Sequence, residues 1–130
     1  MVDTKAAKSA GEHWVCSVLA RKGWGAALTR DGLERTDILA VDPNAPSRRM
    51  IEVQVKTCTN ADDRQGNWLL GSKAQQSALS ENEWFVLVAL DVTTTDRPRS
   101  FVVPRDHVAA AAHISHMHWL TEPGIPAGQR

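Results

Sequence analysis

The chain has 130 residues, 42% of them apolar and 23% charged, which suits a folded globular domain and excludes a disordered or fibrous one. Fifteen basic residues balance fifteen acidic ones, so the chain is not one that coats nucleic acid non-specifically, although a local basic patch remains open to it. The apolar run Trp84 to Leu90 is far too short to cross a membrane, the first residues lack a basic-then-apolar export pattern, and Cys16 and Cys58 show no metal-ligand spacing; a cytoplasmic protein with free thiols is predicted.

Thr4 to Lys22 is predicted as a helix, capped by Asp3 or Thr4 and stopped by Gly23, with Ala7, Ala10, Trp14, Val18 and Leu19 on its apolar stripe. A short strand over Trp24 to Arg30 follows, then a turn at Arg30-Asp31-Gly32. Thr36 to Val41 and Arg49 to Thr57 read as two strands of a hairpin, joined by a Pro-rich loop. Asn60 to Gly66 is polar, and Trp68 to Leu70 can form a short strand. Ser72 to Leu79 is predicted as a second helix with Ser72 as its cap. Trp84 to Leu90, apolar and β-rich, reads as a strand covered on both faces; Arg99 to Val103 is another, and Pro104 to His113 a third helix with proline at its start. The order is α-β-β-β-α-β-β-α. It predicts an α/β fold: a mixed sheet of about five strands between helices, in one domain over residues 1–121, with a loosely ordered tail over 122–130.

The stretch Ile51-Glu52-Val53-Gln54-Val55-Lys56-Thr57 alternates with period two. Val53 and Val55 point to one face, and Glu52, Gln54 and Lys56 to the other. Long polar groups on a central strand need partners, since a buried charge must be paired, metal-bound or discharged. Asp37, on the preceding strand, and Glu12, beside the apolar stripe of the first helix, are the candidates. Strands lie about 4.8 Å apart, so Asp37 is expected near Gln54 and Lys56, with the helix laying Glu12 over the same face. Oxygen ligands from Asp37, Gln54 and Glu12 suit Mg²⁺, with Lys56 placed to orient or deprotonate a water or to hold a phosphate.

Gly11-Glu12, Asp37 and Gln54-Val55-Lys56, in this order of elements, resemble the PD-(D/E)xK nuclease superfamily, the restriction endonuclease-like and Holliday junction resolvase-like fold. The resemblance spans roughly residues 5 to 105. It implies that Asp37 is the metal-binding aspartate, Lys56 the motif lysine and Glu12 the first-helix glutamate of the resolvase-like branch. Gln54 stands in place of the second acid; its amide oxygen can coordinate but carries no charge. Glu52, two residues back, is the candidate for the missing charge. The implied function is hydrolysis of DNA phosphodiester bonds with Mg²⁺ or Mn²⁺. Arg30, Arg35, Arg48, Arg49, Arg64 and Lys73, in loops or at element ends near this site, are expected to form a phosphate-contacting rim, and dispersed surface cations would read the same. So small a chain is expected to grip DNA as a homodimer or with a partner protein.

Two other readings stay open. One is a nuclease fold that binds nucleic acid or a partner protein without catalysis; neutral Gln54 favours it. The other is an internal ion-pair cluster on the strand's polar face, such as Lys56 with Glu52 or Asp37. His107, His113, His116 and His118 match no common zinc spacing and are expected to be solvated. Trp68 is expected to cover the core rather than stack on a base.

Overall fold

Gly23 takes φ +92°, a left-handed conformation open to glycine, and ends the first helix where its stop is expected. The computed structural model describes residues 4–29, 33–44, 46–59, 68, 70, 72–91, 93 and 96–121, with Ser72 described by its backbone alone. Eight elements follow one another: α1 (Thr4–Arg21), β1 (Gly25–Leu28), β2 (Ile38–Val41), β3 (Met50–Cys58), a 3-10 turn (Ser72–Gln75), β4 (Glu83–Ala89), β5 (Arg99–Pro104) and α2 (Arg105–Thr121).

The strands form one five-stranded mixed sheet in the order β1-β2-β3-β4-β5. Neighbours run antiparallel except β3 and β4, which are parallel from Glu52 opposite Glu83 to Cys58 opposite Ala89. The α/β class and the five-stranded sheet between helices are as the sequence predicts. Among the described residues no helix is long and apolar enough to cross a membrane.

Three of the predicted elements differ. The predicted helix over Ser72 to Leu79 is only a 3-10 turn, because the carbonyls of Lys73 and Gln76 are turned toward the Arg105 guanidinium. The last helix begins after Pro104, not at it, and runs eight residues past His113 to Thr121; Pro104 closes the edge strand β5, where its missing N–H costs nothing. Trp68 and Leu70 lie outside any strand. The 30–32 turn, the 60–66 segment and the 122–130 tail fall outside the described residues.

The two faces of the sheet are packed differently. Val15 of α1 meets Ile38, Ala40, Val53, Val55, Val86 and Val88 in one core. Phe85, Ala74 and Val108 form the second core, under the 3-10 turn and α2. Alternation along β3 therefore sends its valines toward α1 and Glu52 and Gln54 toward α2, while Lys56, near the strand's end, shares a cavity with α1. The sequence expectation that α1 covers the polar row is corrected by this packing: the apolar face is the one that buries the stripe of α1.

Candidate functional site

Glu52 and Glu83 stand opposite each other across β3 and β4, on the polar face. Two facing carboxylates repel unless cations offset them; Arg35 pairs with Glu83, and the charges of both carboxylates act on Arg105. Arg35 Nη2 donates to Glu83 Oε1 at 2.9 Å and to the Ser77 carbonyl at 2.7 Å. Arg105, only 1% exposed, donates from Nη1 to Gln54 Oε1 at 2.8 Å, from Nε to the Gln76 carbonyl at 3.1 Å and from Nη2 to the Lys73 carbonyl at 3.2 Å. Its guanidinium also lies 5.0 Å from the centre of the Phe85 ring. Glu52 Oε1 accepts from Thr36 Oγ1 at 3.1 Å.

The electrostatics follow from this packing. Burial raises the Glu83 pKa, but backbone N–H groups of Leu79 and Ser80 and the Arg35 charge outweigh it and hold the carboxyl below its ordinary value. Burial is the main force lowering the Arg105 pKa, with Arg35 adding to it; Glu83, Asp106 and Glu52 act the other way. The polar face thus carries an internal charge network, but not the one expected from the sequence, which paired Lys56 with Glu52 or Asp37. Its cations are Arg35 and Arg105, not Lys56.

Asp37 and Lys56 occupy a different place. The β2–β3 ladder ends at Ile38 opposite Val53. The Asp37 N–H still donates to the Val53 carbonyl at 2.8 Å, but the next bond comes from its side chain: Val55 N–H donates to Asp37 Oδ2 at 2.8 Å. Beyond that point β3 continues to Cys58 without a β2 partner among the described residues. A cavity of about 270 Å³ opens beside this freed stretch, lined by Val55, Lys56, Thr57 and Thr59 and by Thr4, Ala7 and Lys8 of α1. Among the described residues the Lys56 ammonium has no ion-pair partner.

Glu12 reaches the same end of β3 through its neighbour. A Cβ on Gly11 would lie 1.9 Å from Thr57 Oγ1, so only glycine lets α1 lie this close to β3. Glu12 is half-buried and sits 3.9 Å from Lys8, which lines the cavity with Lys56. Burial and, secondarily, the Glu12 charge push the Cys16 thiol up from its ordinary value, away from thiolate reactivity.

The sequence-predicted residues therefore divide. Asp37 and Lys56 are joined through the Val55 backbone, and Glu12 approaches by way of Lys8. Gln54 points at Arg105 and Glu52 at Thr36, so neither oxygen set is turned to the Lys56 cavity. Arg35 is not at a rim: its guanidinium is folded inward on Glu83. Lys73 is exposed and ion-paired to Glu34 at 2.9 Å. Arg30 and Arg64 lie outside the described residues. The histidines of α2 are exposed; His113 Nδ1 sits 3.3 Å from Gln75 Oε1 and His116 stacks on Trp119. Among the described residues no three histidine, cysteine or acidic side chains converge as a metal site. Trp68 donates to the Val88 carbonyl at 3.0 Å and packs edge-on to Phe101, covering the core as expected.

Sequence reasoning missed Arg105 and Glu83. The signal for both was present: a glutamine on a central strand needs a buried donor, and a glutamate opening an apolar strand needs a cation. Comparison with protein families, with curated proteins and with solved structures found no match for this chain.

Proposed function

We propose that the chain is a metal-dependent nuclease that hydrolyses DNA phosphodiester bonds at the Asp37–Lys56 end of β3. The observation that carries this reading is the pairing of the Asp37 carboxylate with the Val55 N–H, one residue from a lysine that lines an open cavity without an ion-pair partner among the described residues. The donor chemistry suits Mg²⁺ or Mn²⁺ held by Asp37 and Glu12: one Asp37 oxygen takes the Val55 N–H and the other is left for a cation, and a hard ion that keeps most of its waters needs only one or two carboxylates. When bound, such an ion lowers the pKa of a coordinated water and neutralises charge on a phosphoryl oxygen. Lys56 orients the attacking water and balances the negative charge that develops on phosphorus. Lys8, at the other wall, holds a phosphate oxygen. Gln54 takes no part as a ligand; Arg105 and Gln54 together fix the strand that carries Lys56. A cytoplasmic location, and a homodimer or partner protein to grip the DNA, belong to the same reading.

A second reading has its own observation. Arg105 occupies the oxygen of Gln54, leaving two acids for an ion, which favours a fold of this kind that binds nucleic acid or a partner protein without cutting. One experiment separates them. Purified protein is incubated with plasmid and with branched DNA across a Mg²⁺ or Mn²⁺ titration, beside Asp37→Ala. Cleavage that needs the ion and vanishes in the variant supports the nuclease. Binding without cleavage at any ion concentration supports the second reading, and cleavage that persists in Asp37→Ala removes the first.

A further inference from the structure

On the α1 face of the sheet, away from the Lys56 cavity, a second cavity of about 240 Å³ opens between the C-terminal half of α1 and strands β3 to β5. Its walls are almost wholly apolar: Val15, Leu19, Trp24, Trp84, Val86 and Val102. Val102 is 65% exposed, so the apolar wall runs out to the surface instead of closing. Two further lining residues are charged, Lys22 at the end of α1 and Arg49 just before β3. Both are exposed and both are cations, and neither has an ion-pair partner among the described residues. No acid lines the cavity.

We propose that this cavity binds a free medium-chain acyl carboxylate, with its chain among the tryptophans and its carboxylate between Lys22 and Arg49. An apolar slot with a few well-placed polar groups is the usual form of a small-ligand site. Length follows from volume. If a methylene takes about the ~30 Å³ share of a water molecule, the slot holds roughly eight carbons. Charge complementarity argues for this occupant over a second copy of the chain. A two-fold contact here would bring the Lys22 and Arg49 pair of one copy against the same patch of the other, with no lining acid to meet them. The inference is independent of the proposed nuclease site, because it uses none of the residues that line the Lys56 cavity.

Trp24 and Trp84 line the slot and report on it directly. Butyrate, hexanoate, octanoate and octanol are titrated into the whole protein while tryptophan fluorescence is followed, with sedimentation run alongside. The expected result is saturable binding that tightens about four-fold per added methylene until the slot is full. Octanol should bind at least ten-fold more weakly than octanoate. Arg49→Gln should weaken octanoate several-fold and leave octanol unchanged, while Val102→Trp, at an exposed position that tolerates bulk, should block both. A response independent of chain length overturns the proposal, as does octanol equal to octanoate. Sedimentation as a dimer that Val102→Trp breaks and octanoate does not perturb also overturns it, since the slot would then be an interface between copies.

Discussion

Arg105 Nη1 donates to Gln54 Oε1 at 2.8 Å, joining the first residue of α2 to the middle of the central strand. The remaining Arg105 donors hold carbonyls that flank the 3-10 turn, so one side chain ties three segments together. A neutral amide suits this position. The nearby charges already include Glu52, Glu83 and Asp106 against Arg35 and Arg105, and a third carboxylate on the β3–β4 face would have to share those cations. The neutral side chain at position 54 is thus explained by packing.

Replacing Arg105 with Met should therefore destabilise the fold well beyond its lost contacts. Gln54 Oε1 and the Gln76 carbonyl would lose their donor, while the Lys73 carbonyl keeps the Gln76 N–H at 3.2 Å, and each stranded acceptor costs about 1–3 kcal/mol. Partial relaxation sets the expected loss at about 3–5 kcal/mol, the range for breaking a buried charged contact. Urea unfolding checks this, read at constant m-value. A loss below 1 kcal/mol would show that water replaces the guanidinium freely.

Glu83 should make stability fall in acid. Its carboxyl is held below the ordinary 4.5, despite burial, by the Leu79 and Ser80 N–H groups and Arg35. A depressed folded pKa contributes stability that is fully present above the unfolded value and is lost as pH falls through the folded one. The unfolding midpoint should accordingly hold steady from pH 7 to about 5 and drop below that. Glu83→Gln should lose about 3 kcal/mol at pH 7, by leaving Arg35 unpaired, and should show a flatter acid limb. A wild-type acid limb no steeper than that of the variant would rule out Glu83 as the source.

The frame of the fold was legible because it rests on local periodicity. Strict alternation marks β3, the unbroken apolar run marks β4, and a glycine stops α1. The face that α1 covers was not legible, since alternation separates two faces without saying which one a helix takes. Nor was the partner of the polar row: Arg105 is 51 residues from Gln54 in sequence and reads there as an ordinary first-turn cation. The helix expected over 72–79 failed for the same reason, as its carbonyls serve a residue thirty positions away. That Asp37 meets β3 beside Lys56 was legible, because neighbouring strands bring such positions together whatever the rest of the chain does.

Asp37 can be split into its structural and chemical parts. Asp37→Ala strands the Val55 N–H and should cost about 1–2 kcal/mol, whereas Asp37→Asn can keep that bond through its amide oxygen and should cost less than half as much. Under the proposed function both variants lose the charge that holds the ion, so cleavage should fall at least 100-fold in each. Thermal unfolding and a plasmid-nicking assay run on the same samples check the split. Cleavage that follows stability, with Asp37→Asn active, would mean that the carboxylate only supports the strand.

Gly11→Ala sets two effects of opposite sign against each other. Alanine favours a helix interior over glycine by about 1 kcal/mol. Here, however, the new Cβ would stand 1.9 Å from Thr57 Oγ1, with Thr57 Cβ at 3.1 Å and Cγ2 at 3.3 Å, so turning the threonine moves Oγ1 away but leaves its Cβ too close. Overpacking of this kind costs about 1–3 kcal/mol, and α1 must lift from β3 to relieve it. The net change should be a loss of about 1 kcal/mol, accompanied by a drop in any cleavage as Lys8 and Glu12 move away from Lys56. Thr57→Ala offers the control, because Thr57 Oγ1 is buried with no hydrogen-bond partner among the described residues and its removal strands nothing. In the double variant Gly11→Ala/Thr57→Ala, stability and cleavage should both recover most of what the single change lost. If Gly11→Ala alone proves as stable as the parent, helix propensity has won, and the close approach of α1 is not what sets Glu12 beside β3.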